Sequence, residues 1–338
     1  MSGVSGVSLR PSGSDLPVVV IGAGIAGVSC ARELRAAGLD VTVLDRGHRP
    51  GGRMASRTID GRQVDIGASY FTARDPGFRA VVAGWAERGL AHEWTDTFHV
   101  GTPEGLTGPK LGPIRFGASG GLRSLVADLA ESLEIECDHD VEEVTPGPCV
   151  DGVPARAVAL AMPDPQALDL LSEALVEERV ALDGHDWEPT ISLYAGWDER
   201  SWPEIDGVFV DGSPVLSFIA DDGRRRGDGA PVLVAHSGAA FAAGRLDEPE
   251  SATAPMLDEL SAVLKLGVAP RWARVQRWSL SRPHESHPQT HYLSAGLIGA
   301  CGDGWCGASR VESAFVSGRE LGRALAVRLG AVSGRNER

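Results

Sequence analysis

A glycine pattern near the amino end of the chain strongly limits how this segment can fold. The pattern is G-x-G-x-x-G, and it lies between an apolar, β-branched run and a run rich in alanine, leucine and arginine. This order predicts a buried parallel strand, a helix and a second strand. The predicted bounds are 17–21 for the first strand, 25–37 for the helix and 41–44 for the second strand. The unit from Pro17 to Asp45 is 29 residues long, close to the roughly 30 expected of a βαβ element.

Each residue type in this unit has a place in binding a dinucleotide. Gly22 permits a tight turn, Gly24 lets the backbone approach a pyrophosphate, and Gly27 lets helix and strand pack closely. The helix amino terminus points N–H groups at the phosphate charge, and Asp45 can accept hydrogen bonds from a ribose diol. The unit therefore predicts a dinucleotide site. Its candidate residues here are Gly22, Ala23, Gly24, Ile25, Ala26, Asp45 and Arg46.

A second glycine pair follows this unit and helps to distinguish between dinucleotides. The stretch DRGHRPGGRMAS places Gly51, Gly52 and Arg53 just after the second strand. An arginine here can offset pyrophosphate charge, and the glycines let the chain lie against a flat ring. The pattern resembles the G-G-R segment of glutathione-reductase-type FAD proteins of the amine oxidase class, which runs along the cofactor toward the flavin. The resemblance adds Gly52, Arg53 and Met54 to the candidate cofactor-binding residues.

The carboxyl-terminal part supplies a third signal for FAD. An apolar strand is predicted over residues 297–301, followed by Gly302 and Asp303 and then by a helix from about Arg310. In FAD proteins of this kind the aspartate lies by the ribityl chain and pyrophosphate. The helix aims its positive dipole end at the flavin, where it stabilises the anionic reduced ring. FAD bound non-covalently is therefore expected, with attachment to Cys306 as the alternative. The candidates here are Gly302, Asp303, Arg310, Val311 and Glu312.

Two longer blocks narrow the resemblance to the renalase-like flavoproteins, the bacterial ones in particular. They are VDIGASYFTARDPGF at 64–78 and GDGWCGASRVESAFVSG at 302–318, with looser matches at 232–238 and 277–283. The resemblance spans about residues 18–329 and implies a two-domain, amine-oxidase-like fold. It also implies an oxidase that returns misreduced dihydro-NAD(P) isomers to NAD(P)+ and passes the electrons to oxygen, forming hydrogen peroxide. The cofactor contacts that it adds are Ala68, Ser69, Tyr70 and, through its backbone, Val141.

Three stretches depart from the renalase-like pattern. The region between residues 144 and 158 is short, which predicts a trimmed β-meander. Gly304 is an additional residue in a GDWC-type motif, and this insertion is expected to alter the contact between the last helix and the flavin. Residues 284–293, HESHPQTHYL, replace an aromatic-containing stretch, so one wall of the substrate pocket is expected to differ.

The order of these motifs predicts an α/β protein with discontinuous domains. An FAD-binding Rossmann-like domain of the glutathione-reductase and amine-oxidase type is expected to alternate along the chain with a mixed α+β substrate domain that caps the flavin. The predicted bounds are 17–75, 118–182 and 294–330 for the FAD-binding domain, and 76–117 and 183–293 for the substrate domain. Further helices are predicted over 76–89, 121–133 and about 251–264. Residues 1–16 and 331–338 are expected to be flexible tails, and the first lacks the apolar core of a signal peptide.

Charge and composition argue against several functional classes. The formal net charge is −14, whereas a nucleic-acid-binding protein would need a basic face. GRRRG at 223–227 is the locally basic run; we interpret it as a solvated hairpin turn, with contact to an anionic substrate as the alternative. No stretch reaches the roughly 18 apolar residues of a membrane span. The five cysteines lack disulfide or zinc spacing and suit a reducing compartment. We therefore expect a cytoplasmic protein without a metal site.

The route of the electrons depends on whether the chain carries a second dinucleotide fingerprint. GASGGL at 117–122 and GACGDG at 299–304 both lack the full strand, helix and acid. This favours an enzyme that takes hydride from its own substrate and returns electrons to oxygen or another acceptor. Tyr70, which by resemblance faces the flavin, and His236, at the end of an apolar strand, are candidate catalytic residues; core packing is the alternative for both. Arg282 is a candidate for binding a phosphate or carboxylate, or else an ordinary surface arginine.

Three functions stay open at this point. The sequence favours an FAD-dependent oxidase of dihydronicotinamide isomers. A flavin amine oxidase or related desaturase is the first alternative, although an amine site needs two parallel aromatics and Tyr70 is the clear candidate for one of them. A flavin-binding protein with little turnover is the second. The expected partners are a small-molecule substrate and molecular oxygen, without nucleic acid or membrane.

Overall fold

The computed structural model describes residues 16–331, so the predicted tails lie outside it apart from Leu16 and Ala331. Its strands are β1 (Val18–Ile21), β2 (Val41–Leu44), β3 (Ser56–Ile59), β4 (Arg62–Asp65), β5 (Ala91–Thr102), β6 (Gly105–Ala118), β7 (Glu134–Glu136), β8 (Val144–Thr145), β9 (Cys149–Val150), β10 (Val153–Pro154), β11 (Ala157–Leu160), β12 (Trp187–Gly196), β13 (Gly207–Val210), β14 (Leu216–Asp221), β15 (Val232–Ser237), β16 (Trp272–Pro283), β17 (Tyr292–Leu293) and β18 (Ile298–Ala300). Its α-helices are α1 (Ile25–Ala36), α2 (Pro76–Glu87), α3 (Leu122–Ala130), α4 (Asp164–Leu170), α5 (Val176–Leu182), α6 (Asp222–Arg226), α7 (Ala239–Ala243), α8 (Thr253–Leu264) and α9 (Val311–Arg328). Short 3₁₀ helices span Gly52–Met54 and Pro249–Ala252.

A six-stranded sheet contains the predicted βαβ unit. Its strand order is β17-β18-β11-β1-β2-β7, and all neighbours are parallel except β17 and β18. Every residue of β1 is buried because both faces of the sheet are covered. Val18 and Val20 pack into one core cluster, and Val19 and Ile21 into another. The sheet therefore holds the carboxyl ends of β1 and β2 at one rigid edge, where the glycine loop begins.

Helices α1 and α9 cross at close range on one face of this sheet. Gly318 and Gly322 make the crossing possible, since a Cβ at Gly318 would overlap the carbonyl oxygen of Ala26. A Cβ at Gly322 would lie 2.6 Å from the carbonyl oxygen of Cys30. The crossing brings the motif at residues 302–312 next to the one at residues 22–27, although they stand at opposite ends of the sequence.

A seven-stranded sheet faces this edge. Its order is β16-β12-β15-β14-β13-β5-β6, and the neighbours are antiparallel except for β13 and β5. The hairpin of β5 and β6 was not predicted, because β6 carries glycines and prolines that usually interrupt a strand. Those residues are tolerated because β6 is an edge strand, where unpaired backbone groups face solvent.

The predicted mixed α/β class with a Rossmann-like domain is confirmed. The helices predicted at 25–37, 76–89, 121–133 and 251–264 end within three residues of α1, α2, α3 and α8. The region predicted to hold a trimmed meander contains the small sheet β10-β9-β8, built of two-residue strands. The domain bounds stay a prediction.

Among residues 16–331, no helix is both long and apolar enough to cross a bilayer.

Candidate cofactor and substrate site

A cavity of about 1510 Å³ lies between the two sheets. One side is formed by the carboxyl ends of β1, β2 and β11 and by the turn after β18; the other is formed by residues of β12, β14, β15 and β16. Ligand pockets for single small molecules commonly measure about 300–1,000 Å³. The cavity is therefore large enough for an extended cofactor together with a substrate.

Most of the residues predicted to bind the cofactor line this one cavity. They are Gly22, Gly24, Ile25, Ala26, Asp45, Arg46, Gly52, Arg53, Met54, Ala68, Ser69, Tyr70, Val141, Gly302, Asp303, Arg310 and Val311. Ala23 and Glu312 are not among the lining residues, and their polar groups are bonded within the chain. The Ala23 amide donates to Asp45 at 2.5 Å, and the buried Glu312 carboxylate accepts from the amides of Arg74 and Asp75. Glu312 thus fixes the segment that leads into α2.

The loop between β1 and α1 forms a cradle suited to a phosphate. Gly22 has φ of +108°, and a Cβ there would lie 2.5 Å from the carbonyl oxygen of Ala161, so another residue would strain the turn. At Gly24 a Cβ would meet nothing within 4 Å, so the backbone is open on that side. Asp45 accepts hydrogen bonds from the Ala23 and Gly47 amides, the second at 2.7 Å. The aspartate therefore ties the loop to β2 and keeps spare lone pairs for a ribose.

The sequence predicted that the charge of Arg53 would offset that of a pyrophosphate, but an acidic residue of the chain itself pairs with it. Its guanidinium forms a bidentate ion pair with Asp303, with distances of 2.5 and 3.0 Å, and also donates to the carbonyl oxygen of Ser281. Ser309 donates to the same carboxylate at 2.5 Å. The pair joins the second and third cofactor motifs directly, so the two residues form one structural unit on the cavity wall.

Arg123 is a basic residue of this region that the sequence analysis missed. It lines the cavity at the start of α3, and its Nε is buried without a hydrogen-bond partner among the described residues. Burial lowers the pKa of Arg123, and the nearby charges of Arg49 and Arg57 lower it further. The charges of Asp45 and Asp65 act in the opposite direction on this pKa, and a bound anion would stabilise the guanidinium further. The sequence signal that could have pointed to Arg123 was the glycine pair at 120–121 before a predicted helix. This pair resembles the glycine loop at 22–27 only weakly.

The candidate catalytic residues occupy different settings on the same cavity. His236 has a buried Nε2 without a partner among residues 16–331, and burial and then the charge of Arg225 lower its pKa to about 4, so the ring is neutral near pH 7. Tyr70 lines the cavity and packs against Phe98 at a ring-centroid distance of 5.3 Å, so aromatic packing is present and its catalytic role stays a prediction. Arg282 is ion-paired with Glu188 at 2.6 Å and its side chain is 65% exposed, as expected of a surface arginine at the cavity mouth.

Two serines that line the cavity have buried hydroxyl groups without hydrogen-bond partners in the described chain. These hydroxyl groups are the Oγ atoms of Ser69 and Ser192. Buried polar groups are nearly always paired in folded proteins. Together with His236 they form a polar wall of the cavity, and Oγ of both serines and Nε2 of His236 have no partners among residues 16–331.

The interpretation of GRRRG as a solvated turn was wrong. Residues 222–226 form helix α6, and Arg225 and Arg226 are buried and contact the buried carboxylates of Asp65 and Asp222. Nη1 of Arg225 donates to the carbonyl oxygen of Ser69 at 2.8 Å. The basic run therefore holds the Ser69–Tyr70 segment in place; its acidic partner Asp65 is distant in sequence, so the run alone gave no signal of burial.

A second polar cluster lies behind the Gly302–Ser309 turn. Asp164, His185 and His287 place potential ligand atoms within 4.8 Å of one another. The His287 ring stacks on Trp305 at 3.8 Å and faces His185 at 3.6 Å. His287, from the departing stretch 284–293, thus packs under the turn and donates its amide to the carbonyl oxygen of the additional Gly304 at 2.7 Å. Cys306, the alternative attachment point for a flavin, is not among the residues that line the cavity.

Comparisons with known proteins agree with this geometry. A family model described as an NAD(P)-binding Rossmann-like domain matches residues 20–85. Over 57 residues the chain is 53% identical to hydroxyneurosporene desaturase of Rubrivivax gelatinosus, a stretch that is 17% of this chain and 11% of the desaturase. Over 65 residues it is 45% identical to putrescine oxidase of Kocuria rosea, covering 19% of this chain and 14% of that protein. The amino-terminal segment is therefore a Rossmann-like dinucleotide-binding domain that is similar in sequence to segments of an amine oxidase and a desaturase.

Solved structures extend the likeness of fold to nearly the whole chain. Cyclohexylamine oxidase from Brevibacterium oxydans IH-35A superposes with a TM-score of 0.73 at 13% identity, over 94% of this chain and 100% of that one. A wild-type putrescine oxidase with bound putrescine gives a TM-score of 0.71 at 16% identity, over 93% and 99%. The predicted amine-oxidase-type fold is therefore confirmed, and the matches agree with FAD as its cofactor. The narrower resemblance to renalase stays a prediction. The matched stretches span 11% and 14% of the two relatives named.

Proposed function

We propose that the chain is an FAD-dependent oxidoreductase that oxidises a small organic donor in the cavity between its two sheets. In the finer form of the proposal the donor is a misreduced dihydro-NAD(P) isomer and the electrons pass to oxygen, forming hydrogen peroxide. One observation carries the proposal: a single cavity joins the phosphate cradle of β1 and α1 to a wall of buried polar groups that lack partners.

The residues present fit FAD. The Gly22–Gly24 loop and the amino terminus of α1 would hold the pyrophosphate, Asp45 the ribose, and Arg123 would supply charge. The amino terminus of α9, with Arg310 and Val311 on the cavity, would face the ring. When bound, FAD would supply the two-electron chemistry, accepting a hydride from the donor carbon. Cys306 lies off the cavity, which supports non-covalent binding.

The polar wall supports a donor that needs no strong base. A dihydropyridine is already a hydride donor, so the chain needs to position its ring and exclude water. His236 is neutral because its pKa is lowered to about 4 by burial and the Arg225 charge, so near pH 7 it can donate or accept a hydrogen bond without adding charge. Ser192 and Ser69 offer hydroxyl groups on the same cavity. All five cysteines are free, which suits the reducing, cytoplasmic setting in which such a donor would arise.

A flavin amine oxidase or desaturase is the second candidate. Tyr70 and Phe218 line the cavity and pack with Trp94 and Phe98, which do not line it, in an aromatic group with ring centroids 5.2–6.4 Å apart. Such rings can hold an amine or a polyene, and the relatives named above include enzymes of both kinds. The rings are tilted or edge-on rather than parallel, which is not the cage expected of an amine site.

Anaerobic mixing of the FAD-loaded protein with candidate donors tests the proposal. The donors are an equilibrated mixture of dihydro-NAD(P) isomers, pure 4-dihydroNADH and putrescine, and free FAD is the control. The proposal expects the isomer mixture to bleach the visible flavin band fastest. Faster bleaching by putrescine would move the assignment to the second candidate, and no bleaching by any donor would favour a binding protein with little turnover.

A further inference from the structure

Arg115 is a buried arginine without an acidic partner. The residue is 6% exposed, and among residues 16–331 no carboxylate oxygen lies within 4.0 Å of its guanidinium. Arg225 and Arg226, the other buried arginines in this part of the chain, both contact Asp65 and Asp222. An unpaired buried charge is strongly unfavourable. Arg115 therefore lacks the counter-ion that the chain supplies to its other buried arginines.

The hydrogen bonds of Arg115 are also incomplete. Nη1 donates to the carbonyl oxygen of Pro113 at 3.3 Å, and Nε is buried without a partner among the described residues. A guanidinium has five N–H donors in a planar fork that matches a carboxylate or a phosphate. Apart from the bond that Nη1 makes, these donors have no hydrogen-bond partner among the described residues.

Aromatic stacking fixes where this guanidinium lies. Its central carbon stands 3.8 Å from the centroid of the Phe98 ring and 5.6 Å from that of Tyr70. Arg115 lines the cavity together with Tyr70 and with the unpartnered hydroxyl of Ser69. Stacking orients the fork before a ligand binds, so little conformational freedom is lost on binding.

We propose that Arg115 forms an anion subsite that binds a carboxylate or phosphate group of the donor. The proposal rests on the proposed function, and it makes Arg115 a specificity residue. An anionic group would give the guanidinium its counter-ion, whereas the ammonium of a polyamine would meet a buried like charge. The same positive charge at the edge of the aromatic group explains how a chain with net charge −14 can accept an anionic substrate.

Calorimetric titration of the purified protein with inorganic pyrophosphate, benzoate and benzylamine tests the subsite. Arg115→Met removes the charge and keeps the length of the side chain. Arg245→Met is the matched control, since Arg245 stacks on Phe241 at the same 3.8 Å but does not line the cavity. We expect Arg115→Met to weaken anion binding about 10- to 100-fold and Arg245→Met to leave it unchanged. The stronger of the two anions identifies the phosphate or the carboxylate as the recognised group.

Three results would overturn the subsite: equal anion binding by wild type and Arg115→Met, no binding of either anion by wild type, or tighter binding of benzylamine than of benzoate. Flavin content is measured on the same samples, so failure of the cofactor proposal is seen separately. The unfolding midpoint gives a second readout. Arg115→Met should not lower it, because an unpaired charge is removed, whereas Arg225→Met should. An equal fall in both variants would show that Arg115 has a structural role instead.

Discussion

Replacing Asp222 by asparagine tests whether the buried charge cluster supports the site. Asp222 is fully buried and accepts from Arg225 and, at 2.5 Å, from Arg62. Asparagine keeps the shape of the side chain and removes its charge. Arg225 would then keep Asp65, 3.8 Å away, as its remaining acidic neighbour. Because Arg225 also holds the Ser69 carbonyl oxygen, the change should loosen the cavity wall as well as the fold.

The expected loss of stability follows from this geometry. Removing one partner of a buried ion pair destabilises a protein by about 3–5 kcal/mol. At about 2.1 cal/mol/K per residue, the unfolding entropy of the 338-residue chain is about 0.7 kcal/mol/K. The unfolding midpoint should therefore fall by about 4–7 °C, a shift that thermal unfolding followed by circular dichroism resolves easily.

The matched control is Asp228→Asn. Asp228 also pairs with Arg62, at 2.7 Å, but its side chain is 37% exposed, so the loss should stay below about 1 kcal/mol. Burial alone would raise the pKa of Asp222, but the charges of Arg225, Arg226 and Arg62 outweigh it and hold the pKa below its ordinary value. The stability it contributes is present above about pH 4 and is lost as the pH falls further. Equal midpoints for Asp222→Asn and wild type at pH 7 would refute the reasoning.

Three further predictions concern the cofactor and the polar wall. Asp45→Ala should weaken FAD binding about 10- to 100-fold because the ribose and the Ala23 amide lose an acceptor. Fluorescence titration of the apoprotein with FAD measures this affinity. The control is Asp40→Ala, since Asp40 is exposed. Arg123→Ala should weaken FAD binding in the same titration, and an unchanged affinity would show that its charge serves another group. Wild type should lose stability as the pH falls from about 6.5 to about 4, because His236 takes up a proton in the unfolded state in this range and resists it in the folded state. The variant His236→Gln should not show this loss. Identical pH profiles of the unfolding midpoint would contradict the burial of a neutral imidazole.

The parts of the fold that follow from local geometry could be predicted from the sequence. The spacing of Gly22, Gly24 and Gly27 fixes the turn, the open backbone and the helix contact within a few residues, so the βαβ unit was found with its bounds nearly correct. The motif at Gly302 and Asp303 was found for the same reason. Most of the residues that these motifs predicted to bind the cofactor line the cavity.

Features that depend on distant partners could not be predicted in this way. Arg225 and Arg226 of GRRRG are buried because Asp65 and Asp222 neutralise them, and Asp65 gives no signal of this 161 residues away. Strand β6 was missed because its glycines and prolines are typical of loops, and its pairing with β5 becomes evident only in the sheet. Arg115 lies on that missed strand, so the sequence could not place it at the cavity. The pairing of Arg53 with Asp303 likewise required both motifs to be brought together.

The flavin content of the purified protein tests the central claim most directly. The account predicts a yellow protein with about one FAD per chain, and acid precipitation should release the flavin to the supernatant because Cys306 lies off the cavity. Flavin that stays with the precipitate would contradict the non-covalent part of the account. A colourless protein that takes up no FAD on incubation would contradict the assignment of the cavity itself.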